Sequence, residues 1–326
     1  MFKQHKIEKP SLARKLFNRF RYSSNISALK KSPPLDNTQI DILNDLQTDG
    51  FAILTSYIPP KVLDTLRGEF QASLNSIKFA TPCLAQSKID PKKHQSFLRN
   101  RMLATPKELS ELGLAIEKGD CVNYKQVLDD YSPSTLSVQM LEHSTTYQNV
   151  WLDTYLLSII SEYMGLVPQL IESYVRRNFP CPHRSMNHFW HRDLNSKYHL
   201  IKGFFFLNDC TINNGPHEYI KGSYTNKNKL KLLNDKRYYD DDEVNLIYPE
   251  NSSDRILSVV PAGTIIIEDT RGLHRANVPN EGYRDLGYAV FAPATTRTPP
   301  YYNFPQQDYE RLTQLQKYSV PNQCLV

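Results

Sequence analysis

The chain has 326 residues, 22% of them charged and 40% apolar, with a formal net charge of +5. This is the composition of a soluble globular protein of one large or two small domains. No apolar run reaches the roughly 18–20 residues that a helix needs to span a bilayer, and no apolar stretch follows the basic start, so a secretory signal is not expected. The charge gives no argument for nucleic acid, because residues 1–33 hold nine Lys/Arg against one acid, Glu8, and so carry +8, leaving −3 on the rest.

Residues 1–33 read as a basic leader. Leu12, Leu16, Phe17 and Phe20 fall on one helical face among Arg14, Lys15, Arg19 and Arg21, so the segment is either a poorly ordered tail or a membrane-surface helix. A transit peptide is the lesser alternative. The expected location is cytoplasmic, with peripheral membrane contact through this leader. Cys83, Cys121, Cys181, Cys210 and Cys324 are odd in number and lack C-x-x-C spacing, which favours a reducing compartment over a disulfide framework or zinc ribbon.

Residues 34–326 read as one domain. Ile40, Leu43 and Leu46 predict a helix over 37–50, capped by Gly50. A short strand follows at 51–56, then an amphipathic helix at 61–77 after Pro59-Pro60. Residues 80–150 look helical and loop-rich, and 150–164 predicts a helix packed on a sheet. From 168 the pattern changes to short strands with turn signals, at 170–179, 187–193, 199–209, 217–221, 255–260, 263–269 and 285–293. Twenty Tyr and fourteen Phe fit a β-rich core. The expected fold is a β-rich α+β protein: a jelly-roll (double-stranded β-helix, cupin-like) core over about 168–295 with N-terminal and flanking helices. The polar stretch 225–254, with its acidic run Asp240–Glu243, reads as a solvated loop or a lid-like insertion.

The chemistry concentrates in His191-x-Asp193 and His274, 81 residues after Asp193, with Arg284 ten residues further on. Alternate residues of a strand share a face, so His191 and Asp193 would project together. A distant His must then arrive from another strand. Two histidines and a carboxylate cap one face of a metal and leave the other open, the arrangement of non-haem Fe(II) oxygenases. A kinase reading of His-Arg-Asp is excluded, because Tyr198 stands where a catalytic loop needs Asn.

These residues carry a resemblance to the phytanoyl-CoA dioxygenase family of Fe(II)/2-oxoglutarate oxygenases. Trp190-His191-Arg192-Asp193 resembles the family's Trp-His-x-Asp, residues 204–224 its strand-Asp, Asn-Gly-Pro and Pro-Gly-Ser-His blocks, and Gly263–His274 its strand leading to the distal His. Asp49-Gly50-Phe51 with its flanking helices extends the resemblance to roughly 37–295. Lys221, Tyr224 and Ala276 depart from it, where the family has Pro, His and often a hydroxyl residue.

The resemblance implies Fe(II) on His191, Asp193 and His274, with 2-oxoglutarate and O2 as co-substrates. Arg284 would hold the far carboxylate of 2-oxoglutarate, since a guanidinium offers the bidentate geometry that Lys lacks. Either Arg176 or Arg177 would face the cavity, with Arg177 the choice for co-substrate contact, and Trp190 and Tyr174 would line it. His188 should point away. The implied reaction is hydroxylation of an unactivated C–H with release of succinate and CO2. Asp193 favours hydroxylation, because a related halogenase needs a small residue there. The substrate would be a small metabolite or a sugar- or lipid-linked group. His183, Arg184, Lys197, His199, Arg271 and Arg275 hint that it is anionic. Asn208, Asp209 and Asn214 are either site groups or turn formers. The alternatives are a non-catalytic metal-binding jelly-roll sensor and a cupin-type hydrolase or isomerase.

Overall fold

A computed structural model describes residues 22–80, 121–130, 135–180, 184, 186–193, 200–225, 238–293, 300 and 302–326. Its strands form two main antiparallel sheets. The large sheet has the order β1 (Phe51–Leu54), β11 (Ile265–Asp269), β7 (Ile201–Phe206), β13 (Arg284–Ala292), β5 (Gln169–Asn178), β4 (Thr135–Val138). The small sheet has the order β10 (Arg255–Leu257), β8 (His217–Ile220), β12 (His274–Ala276), β6 (Trp190–His191), β9 (Tyr238–Tyr239). A two-stranded ribbon joins β2 (Phe79–Ala80) to β3 (Cys121–Val122). From β5 to β8, and again from β10 to β13, the chain alternates between the two main sheets, while β8 and β10 pair as neighbours within the small sheet. Apart from the inserted β9, this is the winding of a double-stranded β-helix.

Side-chain alternation divides the large sheet into two faces. Ile201, Phe205, Ile265, Ile267, Ala289 and Phe291 join the main hydrophobic core with Leu63, Leu66, Phe70, Leu74 and Trp151 from the helices. Phe204, Phe206, Ile266 and Leu286 point the other way, into a second cluster between the sheets with Tyr219 and Cys210. A layer of helices therefore covers the outer face of the large sheet, and its inner face is left for the site. The approach is close: a Cβ on Gly287 would lie 2.2 Å from the ring of Phe205.

The helices begin and end for local reasons. Helix α2 (Asn37–Asp49) starts in a capping box of Asp36 with Gln39 and ends at Gly50, in the left-handed region at φ 76°. Helix α3 (Pro60–Ser76) has Pro at its first turn. The helix expected over 150–164 is two, α5 (Thr145–Trp151) and α6 (Thr154–Met164), because Asp153 caps the second by accepting from the Tyr155 N–H at 2.7 Å. The basic leader is not a free tail throughout. Residues 23–29 form a short helix, α1 (Ser23–Leu29), and buried Asn25 donates to the Val167 carbonyl at 2.7 Å. The apolar face expected from Leu12 to Phe20 lies outside the described residues. Among the described residues no helix is long and apolar enough to cross a membrane, and Cys210 and Cys324 are buried and form no disulfide.

The described part of the insertion over 225–254 packs on the small sheet. Tyr238–Tyr239 adds β9 to the edge of the small sheet, and the short helix after it, α7 (Asp241–Asn245), is held by Arg184 and Arg275 through Asp241. Arg275 and Arg255 also grip Glu218 at 2.7 and 2.8 Å.

Arg177 corrects the sequence expectation. It projects to the helical side of the large sheet, where Nε and Nη2 donate to the two carboxylate oxygens of Asp285, both at 2.7 Å, and Nη1 donates to Tyr124 Oη at 2.6 Å. Tyr283 stacks on the guanidinium at 4.1 Å. It therefore pins β5 to β13 and has no free edge for a co-substrate. Removing one partner of such a buried pair leaves a charge uncompensated. Arg177→Met is expected to destabilise the fold by about 3–5 kcal/mol in urea denaturation while leaving metal binding by the folded fraction unchanged.

Candidate metal centre

Strands β6 and β12 are paired so that His191 and His274 stand directly opposite each other. Asp193 follows just beyond β6, its backbone N–H donating to the Thr270 carbonyl at 2.8 Å. One donor atom from each of His191, Asp193 and His274 lies within 4.8 Å of the others, the one such group of His, Cys, Asp or Glu found among the described residues. His274 Nε2 and Asp193 Oδ2 are 3.8 Å apart. Two donors on one metal at about 2.1 Å each stand no more than about 4.2 Å apart, so this pair fits a shared ion.

The tautomers are fixed by the backbone. Nδ1 of His191 lies 2.9 Å from the Phe189 carbonyl, and Nδ1 of His274 lies 2.9 Å from that of Gly272. A carbonyl only accepts, so each Nδ1 carries the proton and each Nε2 keeps its lone pair, as a metal ligand must. Burial pushes both imidazoles below their usual range, His191 well below it. Burial alone would raise the Asp193 carboxyl, but the Lys202 ammonium holds it well below the carboxylate range. The donors are thus a neutral, neutral, anionic set. His274 Nε2 is buried without a hydrogen-bond partner, and Asp193 Oδ2 is ion-paired with Lys202. A buried lone pair with no donor, converging on an anionic carboxylate, suits a cation.

Arg284 is the second element. It is 2% exposed, and Nε and Nη1 have no hydrogen-bond partner. Its Nη2 donates to Asn178 Oδ1 at 3.4 Å, and no carboxylate pairs with it among the described residues. Burial pushes the guanidinium down to about 10. Along β13 it shares a face with Leu286 and Tyr288, and the Tyr288 ring lies 5.8 Å from Lys202 Nζ, so Arg284 points into the space between the sheets. A fixed fork of donors with no anion fits a ligand carboxylate.

The other expected residues divide. Arg176 takes the inner face that Arg177 does not, donating to Tyr174 Oη at 2.6 Å and lying over its ring. Tyr174 stacks on Tyr288 at 4.6 Å as part of that wall. Trp190 points away from the metal: it is wholly buried with Ile220, Tyr239, Val244, Tyr248 and Leu273, between the guanidinium groups of Arg255 and Arg275. Its neighbour His191 takes the inner side, so alternation puts the Trp outside. Asn208, Asp209 and Asn214 shape turns, bonding the backbone of Asp285, Ala262 and Thr211. Arg184, Arg271 and Arg275 are each paired with carboxylates, so they offer no free cation for an anionic substrate. His183, Lys197 and His199 lie outside the described residues. Lys221 and Tyr224 bind the end of α2, through Asp49 and the Gln47 carbonyl.

Four residues near the donors were not singled out from sequence: Lys202, Glu268, His217 and Tyr238. Tyr238 is delivered by the insertion, its ring 6.0 Å from that of His191. Lys202 and Glu268 carried a readable signal, as charges within the apolar runs IKGFFF and IIIED. A charge inside such a strand has to face a polar interior.

His188, His191 and His274 are all held below the usual 6.5, His188 down to about 4 by burial and then by Arg284, Arg184 and Arg176. Above pH 6.5 these imidazoles are neutral folded or unfolded. Below it the unfolded chain takes up protons that the native state refuses, so stability falls with falling pH. The melting temperature of the metal-free protein is therefore expected to drop between about pH 6.5 and 4. His188→Gln should shallow that drop in a pH series of thermal melts.

No family model matches the chain, and no curated protein does. Among solved structures it is similar to HygX from Streptomyces hygroscopicus with nickel and 2-oxoglutarate bound, at 13% identity and TM-score 0.48 over 83% of this chain and 91% of that one. The epimerase SnoN in complex with Fe3+, alpha ketoglutarate and nogalamycin RO is similar at 12% identity and TM-score 0.49, over 81% and 86%. AviO1 from Streptomyces viridochromogenes Tue57 is similar at 18% identity and TM-score 0.46, over 82% and 100%. Likeness of this order assigns neither a reaction nor a substrate.

Proposed function

We propose that the chain is an Fe(II)/2-oxoglutarate-dependent oxygenase, related to the phytanoyl-CoA dioxygenase family, that hydroxylates a C–H bond of a small molecule. The observation that carries this reading is the pairing of two unsatisfied partners on one inner face. The His191, Asp193 and His274 donors converge, His274 Nε2 has no hydrogen-bond partner, and the buried guanidinium of Arg284 has no carboxylate partner among the described residues. A cupin-type hydrolase or a sensor would have use for the triad but none for a buried unpaired Arg, which costs stability.

Each protein group has a definable task. His191, Asp193 and His274 would hold Fe(II) on one face and leave the other open. When bound, iron with 2-oxoglutarate and O2 supplies the oxidising power to attack an unactivated C–H, with succinate and CO2 released. Arg284 orients the co-substrate by its far carboxylate, with Asn178 steadying the guanidinium. Phe204, Phe206, Ile266 and Leu286 form an apolar floor that keeps water from the reacting groups. Backbone carbonyls at Phe189 and Gly272 keep both Nε2 atoms aimed inward.

The activity is tested by following succinate from 2-oxoglutarate with Fe(II)-loaded protein in air, with pools of small-molecule substrates. The expected result is slow uncoupled release that rises when an acceptable substrate is present. Turnover of any substrate that is indifferent to 2-oxoglutarate would favour the hydrolase or isomerase reading.

A further inference from the structure

Glu268 is the charged residue near the triad to which the metal reading gives no task. It lies on β11, where Ile265 and Ile267 face the helices and Ile266 faces inward, so alternation sends Glu268 inward as well. It is 0% exposed. One carboxylate oxygen, Oε2, accepts from His217 Nε2 at 2.7 Å. The other, Oε1, has no hydrogen-bond partner and stands 3.9 Å from His274 Nε2. That separation nearly equals the 3.8 Å from the same nitrogen to Asp193 Oδ2. Glu268 does not join the three donors that lie within 4.8 Å of one another. It is beside the metal position and not one of its ligands.

The carboxylate is anionic there. Burial pushes it up, but His217 and Lys202 more than reverse this. Lys202 is its directly paired neighbour on β7. Buried charge is tolerated when it is balanced. Lys202 pairs with Asp193 and neighbours Glu268, so these three groups together carry one net negative charge. Without Glu268 they would sum to zero.

Resting on the oxygenase reading, we infer that Glu268, held by His217, is an outer carboxylate of the metal centre that tightens the hold on the dication and loosens the hold on anionic 2-oxoglutarate. A carboxylate this close attracts the one and repels the other. It acts as a positioning residue, through charge beside the metal position and not through a bond to the metal.

The opposite signs make the inference testable without turnover. Ni(II) is titrated calorimetrically into wild type and Glu268→Gln, then 2-oxoglutarate into each Ni(II)-loaded protein. The variant is expected to bind Ni(II) about 10-fold or more weakly, the range for loss of an outer-shell partner, and 2-oxoglutarate several-fold more tightly. Loss of both affinities together would show a merely structural role and overturn the inference. So would a variant within about twofold of wild type on both. If Glu268→Gln does not fold, Glu268→Asp retracts the carboxylate by one methylene and is expected to shift both constants in the same directions. If wild type took up neither Ni(II) nor 2-oxoglutarate, the oxygenase reading itself would fall. A wild type that binds both, with an unchanged variant, overturns the role of Glu268 alone.

Discussion

Arg284→Leu is expected to abolish 2-oxoglutarate binding, leave Fe(II) binding intact, and raise the stability of the ligand-free protein. The three effects have one cause. The guanidinium is 2% exposed, lacks a carboxylate, and has two nitrogens without partners. Burial has already pushed it down to about 10. An uncompensated buried charge of this kind is costly, and replacing buried ionic groups with apolar residues of similar volume is neutral or stabilising by about 1–4 kcal/mol. A protein keeps such a group only where a ligand completes it. Losing a bidentate, desolvated carboxylate contact should weaken 2-oxoglutarate at least 100-fold, taking about 3 kcal/mol for a charged hydrogen-bonded pair. Thermal melts and calorimetry of the metal-loaded variant give both answers. A less stable variant that still binds 2-oxoglutarate would make Arg284 an ordinary structural residue.

Asp193→Asn is expected to remove Fe(II) binding, by more than the roughly 100-fold that marks the upper range for an outer-shell change. Asn is nearly isosteric, so the change isolates the charge. It also leaves Lys202, 14% exposed, without its ion-pair partner. Stranding a buried charge costs about 3–5 kcal/mol, and the lower end is expected because the Asp193 side chain is 24% exposed. This variant therefore loses stability where Arg284→Leu gains it. Opposite signs from two residues of one site would separate a group that is satisfied within the protein from one that waits for a ligand. Metal affinity by calorimetry and urea denaturation of the metal-free proteins report them.

Much of this arrangement was legible in the sequence, because strand alternation is a strong constraint. It put His191 beside Asp193, although the strand ends at His191 and Asp193 lies just beyond it, and helical spacing set the helix over 37–50 within a residue. It also implied that His274 must come from another strand, and the two histidines turn out to be paired neighbours. The same rule misled where phase was unknown. Arg176 and Arg177 are adjacent, and nothing local says which one meets the helices. Asp285 decides it by pairing with Arg177, and that contact spans 108 residues. Trp190 was misassigned for want of the same information. Its position beside His191 suggested the pocket, but adjacent residues on a strand face opposite ways. β4 and β12 are too short for a period to show, and β9 is fixed only by pairing with β6. The segment 302–326 gave no signal, yet Tyr302 and Phe304 are buried in the main core.

The most direct test is an anaerobic titration of Fe(II)-loaded protein with 2-oxoglutarate, watching for the weak visible charge-transfer band of the co-substrate on iron. The expected result is a saturable band in the wild type that is absent in His191→Ala and displaced to far higher 2-oxoglutarate in Arg284→Leu. A wild type that retains its iron and shows no band would contradict the oxygenase assignment.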